Sequence, residues 1–416
     1  MRKIFSVTIF TAILTLLRML CGFAIAKIVA IYTGPAGMAM LGQIQSVITS
    51  LNGVVISPVG NGVVRYTAEN VDHGYEACAK WWQASLQWAF GIFLLIAPLA
   101  IFFSEKLSLF LFDTNQYHWV LVLSTIVLPF SIINTAFISV INGQQLYKRY
   151  ISVGFISIIV STLVMVAMIY FYSLKGAMVA ASLNSSLAGL VVLMMSWRQP
   201  WLKAKYWIGK TSREQRKAIG GYVIMAITSA ITIPLGMVLV RKILVEYVGW
   251  EGAGHWQAVW KISEVYLAII TLALSTYYLP QLSKLKTPEE IKKEINQTLK
   301  IIFPIVAFLA FCVYLLRDVA IFILFTDEFK SARDLFSIQL IGDVIKIVAW
   351  LYAFPMIARG AVKWYVSTEI IFSASFVLLT LFLVPSYNIQ GANIAYAINY
   401  TLYFLFMFFN VKRFAR

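Results

Sequence analysis

Apolar stretches separated by short polar segments make up most of the chain, and this pattern predicts membrane-spanning helices. A helix needs roughly 20 mostly apolar residues to cross the hydrocarbon of a bilayer. Twelve stretches meet that requirement, at residues 4–32, 38–64, 82–103, 119–141, 151–172, 177–197, 218–247, 256–279, 298–316, 335–356, 365–385 and 392–410. We therefore predict an all-α polytopic membrane protein with twelve transmembrane helices.

The loops between these spans differ in charge on the two sides of the predicted membrane. If both termini lie on one side, the loops and span ends on that side carry 23 Lys and Arg residues, whereas the opposite loops carry five. Loops rich in Lys and Arg stay in the cytoplasm. We therefore predict a multi-pass protein with both termini in the cytoplasm.

The composition supports this class and excludes several others. Hydrophobic residues make up 60% of the chain and charged residues only 12%, whereas soluble domains carry about 25% charged residues. An ordinary soluble enzyme, a disordered chain and a small disulfide-rich protein are therefore excluded. The net charge of +16 does not indicate a nucleic-acid partner, because the basic residues lie mainly in short loops on one side of the predicted membrane.

Motifs for catalysis or cofactor binding are missing. The sequence contains no Walker A motif, no G-x-S-x-G, no HExxH and no CxxCH. Cys21, Cys78 and Cys312 are far apart and have no histidine partners nearby, so neither a disulfide framework nor a metal site is expected. We predict a protein that is not an enzyme and has no metal or cofactor.

The two halves of the chain resemble each other in sequence. The motif at residues 27–37, Lys-Ile-Val followed by a Tyr and two Gly, matches residues 242–252 at an offset of 215. Six spans per half is an even number, so parallel repeats about an axis along the membrane normal are predicted. We expect an N-lobe at 1–205 with spans 1–6 and a C-lobe at 206–416 with spans 7–12, which alternate access to a site between them.

Two segments on the predicted cytoplasmic side read as helix starts. The linker 198–217 carries seven Lys and Arg residues and contains Thr211 and Glu214 at the spacing of a capping box. Thr287 and Glu290 have the same spacing, with Pro288 at the first helical position. Both segments are expected to begin helices at the membrane surface, where their basic residues are either solvated or in contact with anionic lipid.

Four basic residues of the predicted spans stand out by position. Arg18 lies halfway through the first span, and Lys27, Arg241 and Lys242 lie near the outer ends of spans 1 and 7. An ionised side chain at the bilayer centre costs ~2.5–3.5 kcal/mol, so it normally faces protein or a watery cavity. A hydrogen bond to a neighbouring helix is the alternative for Arg18, and snorkelling to the interface is the alternative for the other three.

Further charges occur deep in the second half. Lys261 and Glu264 lie three residues apart in span 8, and Asp343 and Lys346 repeat that spacing in span 10. Residues three apart share a helix face, so each pair can neutralise itself. A buried self-neutralising pair has no advantage over apolar residues, however, so a hydrated cavity explains the pairs better. Glu369, about one turn inside span 11, has no local partner.

The sign of these charges indicates the substrate. The spans hold slightly more basic than acidic residues, which favours an anion, and Lys and Arg donate charge-assisted hydrogen bonds to phosphate. The candidate substrate-binding residues are Arg18, Lys27, Arg241, Lys242, Lys261 and Lys346. The candidates for coupling to an H⁺ or Na⁺ gradient, or for a charge relay, are Glu264, Asp343 and Glu369.

Four motifs resemble those of a known family. Residues 34–37 read GPAG, residues 317–318 read RD, residues 332–336 read ARDLF and residues 342–346 read GDVIK. Together they resemble the Wzx-type flippases of Gram-negative bacteria, which belong to the multidrug/oligosaccharidyl-lipid/polysaccharide exporter superfamily (MOP). The resemblance extends along essentially the whole chain, is most specific between residues 317 and 346, and is nearest to the flippases of the enterobacterial common-antigen lipid.

This resemblance implies a V-shaped, MATE-like fold of two six-helix lobes in the bacterial inner membrane, with a cationic cavity. It also implies that undecaprenyl-diphosphate-linked oligosaccharide moves from the cytoplasmic to the periplasmic leaflet. Membrane lipids, a downstream polymerase and a chain-length regulator are the other implied partners. Asp343 and Lys346 fall within a matching motif. An O-antigen unit and the common-antigen lipid remain alternative substrates.

Two other functions are compatible with a polytopic membrane protein. A multidrug or cation antiporter of the same superfamily would need an acidic cavity in the first half, whose spans hold no acidic residue away from their ends. A membrane-embedded O-antigen polymerase would need a sizeable periplasmic loop, and the longest predicted outer loops have only about 15–17 residues. Both alternatives are less favoured than a flippase.

Overall fold

The computed structural model describes residues 2–285 and 287–414, without the side chains of residues 2–12 and 221–222. Within these ranges the chain forms helices joined by short turns and contains no strand. The helices of the first half are α1 (Arg2–Ile56), α2 (Asn61–Asn70), α3 (Tyr75–Phe102), α4 (Ser104–Phe112), α5 (His118–Ile126), α6 (Leu128–Gly143) and α7 (Tyr147–Ser196). Those of the second half are α8 (Arg213–Ala273), α9 (Leu279–Lys284), α10 (Pro288–Leu315), α11 (Arg317–Leu324), α12 (Phe336–Ala358), α13 (Val362–Tyr387) and α14 (Ile389–Phe414).

Nine helical stretches of the described chain are long and apolar enough to cross a membrane, which confirms the predicted all-α membrane fold. Three of their helices, α1, α7 and α8, run for 55, 50 and 61 residues, far more than the roughly 20 that one crossing needs. Each contains one residue with non-helical backbone angles, namely Gly34, Ser173 and Gly249. Division at these residues gives twelve segments; how many of them cross the bilayer stays a prediction.

The backbone repeats its special conformations at the offset seen in the sequence. Gly34 has φ 62° and ψ −169°, and Gly249, 215 residues later, has φ 74° and ψ 173°. This region of backbone space is open almost only to glycine. Ser173, at φ 47° and ψ −126°, is likewise matched by Asn388 at φ 53° and ψ −140°.

A third pair of turns repeats down to its hydrogen bonds. Gln145 and Gly360 are also 215 residues apart and have φ of 56° and 62°. In the first turn the amide of Leu146 donates to the carbonyl of Ile141, and in the second the amide of Ala361 donates to the carbonyl of Met356. The resemblance between the two halves of the sequence is therefore also a resemblance of local backbone structure.

The chain divides into two compact units. The first contains the residues up to Tyr32 together with Gln43–Pro234, and the second contains Thr33–Gly42 together with Leu235–Arg416. The short segment Thr33–Gly42 packs closely within the second unit: a Cβ atom added to Gly254 would lie only 2.0 Å from the carbonyl oxygen of Pro35. Glycine at this position therefore permits the close approach of two helical segments.

In the first unit, the linker that follows α7 folds back onto the core. Trp201 is fully buried, and its ring and that of Trp207 lie 5.2 and 5.0 Å from the ring of Phe137. The side chain of Gln83 in α3 donates to the carbonyls of Lys205 and Ile208. The linker is thus anchored by aromatic burial and backbone hydrogen bonds, which its many charges do not predict.

The two predicted helix starts have different outcomes. At Thr287 both hydrogen bonds of the capping box with Glu290 are present, at 3.1 and 3.2 Å, so that prediction is confirmed. The other was placed one residue too early, because the reciprocal bonds join Ser212 and Gln215. The hydroxyl of Thr211 donates to Gln87 instead, which ties the start of α8 to α3.

Candidate functional site

A pocket of about 450 Å³ lies in the second unit, lined by α8, α12 and α14 and by the helical turn that follows α8. Its α8 residues are spaced three or four apart and so share one face of the helix. Two charged groups, Glu264 and Lys346, enter a lining that is otherwise aromatic, apolar or neutral: Trp260, Ser263, Leu267, Ala268, Thr271, Leu272, Ser275, Gln339, Trp350 and Tyr396.

Asp343, fully buried on α12, lies behind this lining. Its Oδ2 accepts hydrogen bonds from the hydroxyls of Ser263 at 2.6 Å and Tyr266 at 2.7 Å. Its Oδ1 accepts from the hydroxyl of Tyr396 at 2.8 Å and the side-chain amide of Gln339 at 3.3 Å. Hydrogen bonds to a charged group contribute about 1.5–3 kcal/mol each. Four donors on two oxygens satisfy an ionised carboxylate, and they join α8, α12 and α14.

Lys346 lies one turn further along α12, among aromatic rings. Its Nζ is 4.9 Å from the ring centre of Trp350, 5.4 Å from that of Tyr400, 5.5 Å from that of Trp260 and 5.6 Å from that of Tyr396. A cation within about 6 Å of a ring centre is attracted to the ring face. The rings therefore stabilise the ammonium group without using its hydrogen-bond donors.

The two charged pairs predicted from the sequence behave differently. Lys261 and Glu264 form an ion pair at 3.2 Å, and the indole of Trp260 also donates to Glu264, at 3.0 Å. No ion pair joins Asp343 and Lys346 in the part of the chain that the structure describes. Asp343 is satisfied by neutral donors instead, which leaves the charge of Lys346 available at the pocket.

Arg241 is buried and acts within α8. Its Nε donates to Oε1 of Gln257 at 2.8 Å, which links the helical segments on the two sides of Gly249. The guanidinium also lies within electrostatic range of Glu264. Lys242, the next residue, is half-buried and does not line the pocket.

The remaining candidates lie elsewhere. Glu369 is half-buried on α13, within electrostatic range of Tyr400 and Tyr403. Arg18 and Lys27 belong to the first unit, where Arg18 is exposed and Lys27 is half-buried. The structure therefore gathers Lys346, Glu264, Asp343 and Lys261 around one pocket of the second unit, with Arg241 near Glu264.

The aromatic and hydroxyl groups of this site were not predicted. Tyr266, Tyr396 and Tyr400, together with Trp260 and Trp350, form most of the surroundings of the two charges on α12. Their spacing was a usable signal, because Tyr396 and Tyr400 are four apart on one helix face. Clusters of three or more His, Cys, Asp or Glu side chains with the geometry of a metal site are not found among the described residues.

Comparisons with known proteins agree with this architecture. A family model described as "Polysaccharide biosynthesis protein" matches residues 76–334, more than half of the chain. The chain is also 29% identical over 404 residues to proteins named "Lipid III flippase" from Escherichia coli (strain K12) and Shigella flexneri, and each match covers 95% of both chains.

Solved structures share the fold at low sequence identity. An inward-facing multidrug resistance MATE family transporter of the MOP superfamily has a TM-score of 0.72 and 14% identity, and 95% of both chains is covered. The lipid II flippase MurJ in an inward closed conformation also has a TM-score of 0.72 and 14% identity, over 98% of this chain and 87% of MurJ. From its apolar helices, its fold and the family model, the chain is an integral membrane protein that belongs to the polysaccharide biosynthesis protein family.

Proposed function

We propose that the chain is a flippase that moves an undecaprenyl-diphosphate-linked oligosaccharide from the cytoplasmic to the periplasmic leaflet of the bacterial inner membrane. The observation that carries the proposal is the match to two lipid III flippases along 95% of each chain. These relatives are transporters rather than enzymes, and the proposed activity makes or breaks no covalent bond. The common-antigen lipid is the favoured substrate, and an O-antigen unit is the alternative.

The substrate explains why charge is needed inside the membrane. A diphosphate cannot cross hydrocarbon unaided, because an ionised group loses its hydration there. A protein that carries it must supply cations and water while the polyprenyl tail stays in lipid. Lys346 supports this role, because the rings around it leave its three donors free to bind phosphate oxygens.

The other pocket residues suit the sugar part of the head group. Trp260 and Trp350 present flat apolar surfaces, and Ser263, Gln339 and Glu264 supply polar atoms. Binding sites of this kind combine aromatic walls with a few oriented polar groups. We assign the diphosphate to Lys346 and Lys261, with Arg18, Lys27, Arg241 and Lys242 as the further cations of the pathway.

An acidic group is proposed to couple transport to an H⁺ or Na⁺ gradient. Asp343 is already saturated by four donors, which suits a residue that positions Tyr396 and Tyr266. Glu264 is paired with Lys261, which suits a charge relay. Glu369, half-buried and without a hydrogen bond or ion pair among the described residues, is the best candidate for reversible protonation.

The proposal extends to the setting of the protein. We place both termini in the cytoplasm on the basis of loop charge, and we propose alternating access as the mechanism of transport. A polymerase and a chain-length regulator would act on the product after it reaches the outer leaflet. None of these partners is needed for the translocation step itself.

Deletion of the gene in its own host, followed by mass analysis of undecaprenyl-diphosphate intermediates, tests the proposal. We expect one complete lipid-linked repeat unit to accumulate and the corresponding surface glycan to disappear, with both changes reversed by the intact gene. Unchanged lipid intermediates together with normal surface glycan would reject the proposal. Increased sensitivity to cationic drugs with normal glycan would favour the antiporter alternative.

A further inference from the structure

We propose that a second pocket, formed by the start of α10 and the end of α14, binds the phosphate headgroup of an anionic phospholipid. The pocket measures about 490 Å³ and is lined by Glu289, Lys292, Lys293, Asn296, Gln297, Lys300 and Lys412. It lies entirely within the second unit and shares no lining residue with the first pocket. The inference does not depend on the proposed transport function.

The lining forms a polar stripe along one face of α10. Its residues at positions 289, 292, 293, 296, 297 and 300 follow the three- and four-residue spacing of a single helix face. The capping box at Thr287 fixes where this face begins. Lys412, in the last turn of α14, adds a fourth ammonium group from a neighbouring helix. Four basic groups therefore converge with one carboxylate, that of Glu289.

These lysines are held in place without being neutralised. The ammonium of Lys292 lies 5.9 Å from the ring centre of Phe408, and the hydroxyl of Tyr352 donates to Asn296 at 3.4 Å. In the described ranges, none of the four lysines forms an ion pair with an acidic side chain. A concave site with unpaired cations attracts phosphate, which accepts charge-assisted hydrogen bonds.

The surface next to the pocket favours a lipid over a free phosphate. The row that starts at Lys293 and Gln297 continues along α10 through Ile301, Ile305 and Phe308. These three side chains are 63%, 44% and 66% exposed. The polar stripe therefore passes directly into an exposed apolar one, which can hold an acyl chain below a headgroup. Basic pockets between helices at the membrane surface bind anionic lipid headgroups in this way.

A titration of the purified full-length protein with dioleoyl phosphatidylglycerol tests this site, with bound lipid counted by native mass spectrometry. The test variant carries Lys→Gln at positions 292, 293, 300 and 412, and a second variant carries Lys→Arg at the same positions. The matched control carries Lys→Gln at four exposed lysines outside the pocket, at positions 203, 210, 217 and 363. Size-exclusion profiles establish that each variant is folded.

We expect the Gln variant to bind phosphatidylglycerol at least about tenfold more weakly than the unmodified protein, since each surface Lys contributes about 1 kcal/mol. The Arg variant and the control should bind within about twofold of the unmodified protein, because their pockets keep four cations. Equal losses in the Gln variant and the control would overturn the proposal. If the fourfold variant does not fold, the double variant Lys293→Gln, Lys412→Gln should still bind more weakly than a Lys203→Gln, Lys363→Gln control.

Two competition arms identify the source of the phosphate. Phosphatidylcholine and inorganic diphosphate should leave bound phosphatidylglycerol unchanged at equal concentration. Displacement by inorganic diphosphate would overturn the lipid assignment in favour of a free phosphate. Displacement by undecaprenyl diphosphate at tenfold lower concentration would overturn it in favour of the proposed transport substrate.

Discussion

The hydroxyl of Tyr396 donates to Oδ1 of Asp343 at 2.8 Å, while the ring of the same tyrosine lies 5.6 Å from Nζ of Lys346. A single side chain of α14 therefore contacts both charges of α12 in different ways. Because the hydroxyl helps to satisfy the carboxylate, Asp343 does not need Lys346 as its counter-ion. The ammonium stays charged at the pocket, which is the feature that an anion-binding site requires.

Asp343→Asn should lower the stability of the protein markedly. The substitution removes the charge that strengthens four hydrogen bonds and turns one acceptor into a donor that faces hydroxyl donors. We expect a loss of about 3 kcal/mol or more, seen as an earlier transition in thermal unfolding followed by size exclusion. Glu264→Gln is the control, because the partly exposed pair with Lys261 contributes less than about 1 kcal/mol. Similar unfolding temperatures for the two variants would contradict the role given to Asp343.

The repeated backbone conformations predict opposite effects for two kinds of substitution. Gly34→Ala and Gly249→Ala should each cost about 1–3 kcal/mol, because both residues occupy a region that a Cβ disfavours. Ser173→Gly and Asn388→Gly should leave stability unchanged or raise it, since these residues also have positive φ. Thermal unfolding of the four single variants measures the effect. Comparable losses in all four would mean that the turns do not share one conformation.

Burial of the linker predicts a contrast between two tryptophans. Trp201→Ala should destabilise the first unit by about 3–5 kcal/mol, because it removes a fully buried ring. Trp197→Ala, which removes a ring that is 73% exposed, is the matched control and should have little effect in detergent. Thermal unfolding of the purified variants checks the difference. A stable Trp201→Ala protein would show that the linker is not anchored by this residue.

Glu369→Gln should separate coupling from substrate binding. The amide cannot gain or lose a proton, so an imposed pH gradient should no longer accelerate flipping, while binding of the lipid-linked substrate should be retained. Flipping by reconstituted protein is measured with a pH gradient, with a sodium gradient and with neither. Glu246→Gln, at an exposed position near the kink of α8, is the control and should keep the response. A normal pH response in the Glu369 variant would exclude this residue as the coupling group.

The sequence predicted the helical membrane fold because its signal is long and repeated. Each span needs many apolar residues, and the motif at 27–37 recurs at 242–252 because both copies need a glycine with positive φ. The capping box at Thr287 was predicted for the same reason, since it depends on residues close in sequence. Features that rest on local chemistry were therefore accessible without the structure.

The surroundings of the charges were less accessible, because they depend on residues distant in sequence. Asp343 and Lys346 were chosen as a pair from their spacing, but Tyr266 and Tyr396 satisfy Asp343 from two other helices. An aromatic residue in an apolar span can equally face lipid or protein, so its sequence context does not reveal such a contact. The burial of Trp201 in a charged linker was hidden for the same reason.

Flipping by the purified chain in vesicles, with and without Lys346, tests the central claim most directly. A lipid-linked oligosaccharide carrying a fluorescent sugar is placed in both leaflets, and the fraction quenched from outside is followed with time. The intact protein and Lys106→Gln should move the lipid at similar rates, Lys346→Arg should retain part of the rate, and Lys346→Gln should be at least about tenfold slower, as expected from the loss of one charge-assisted contact to phosphate. Full activity of Lys346→Gln, or no flipping by the intact protein, would contradict the account.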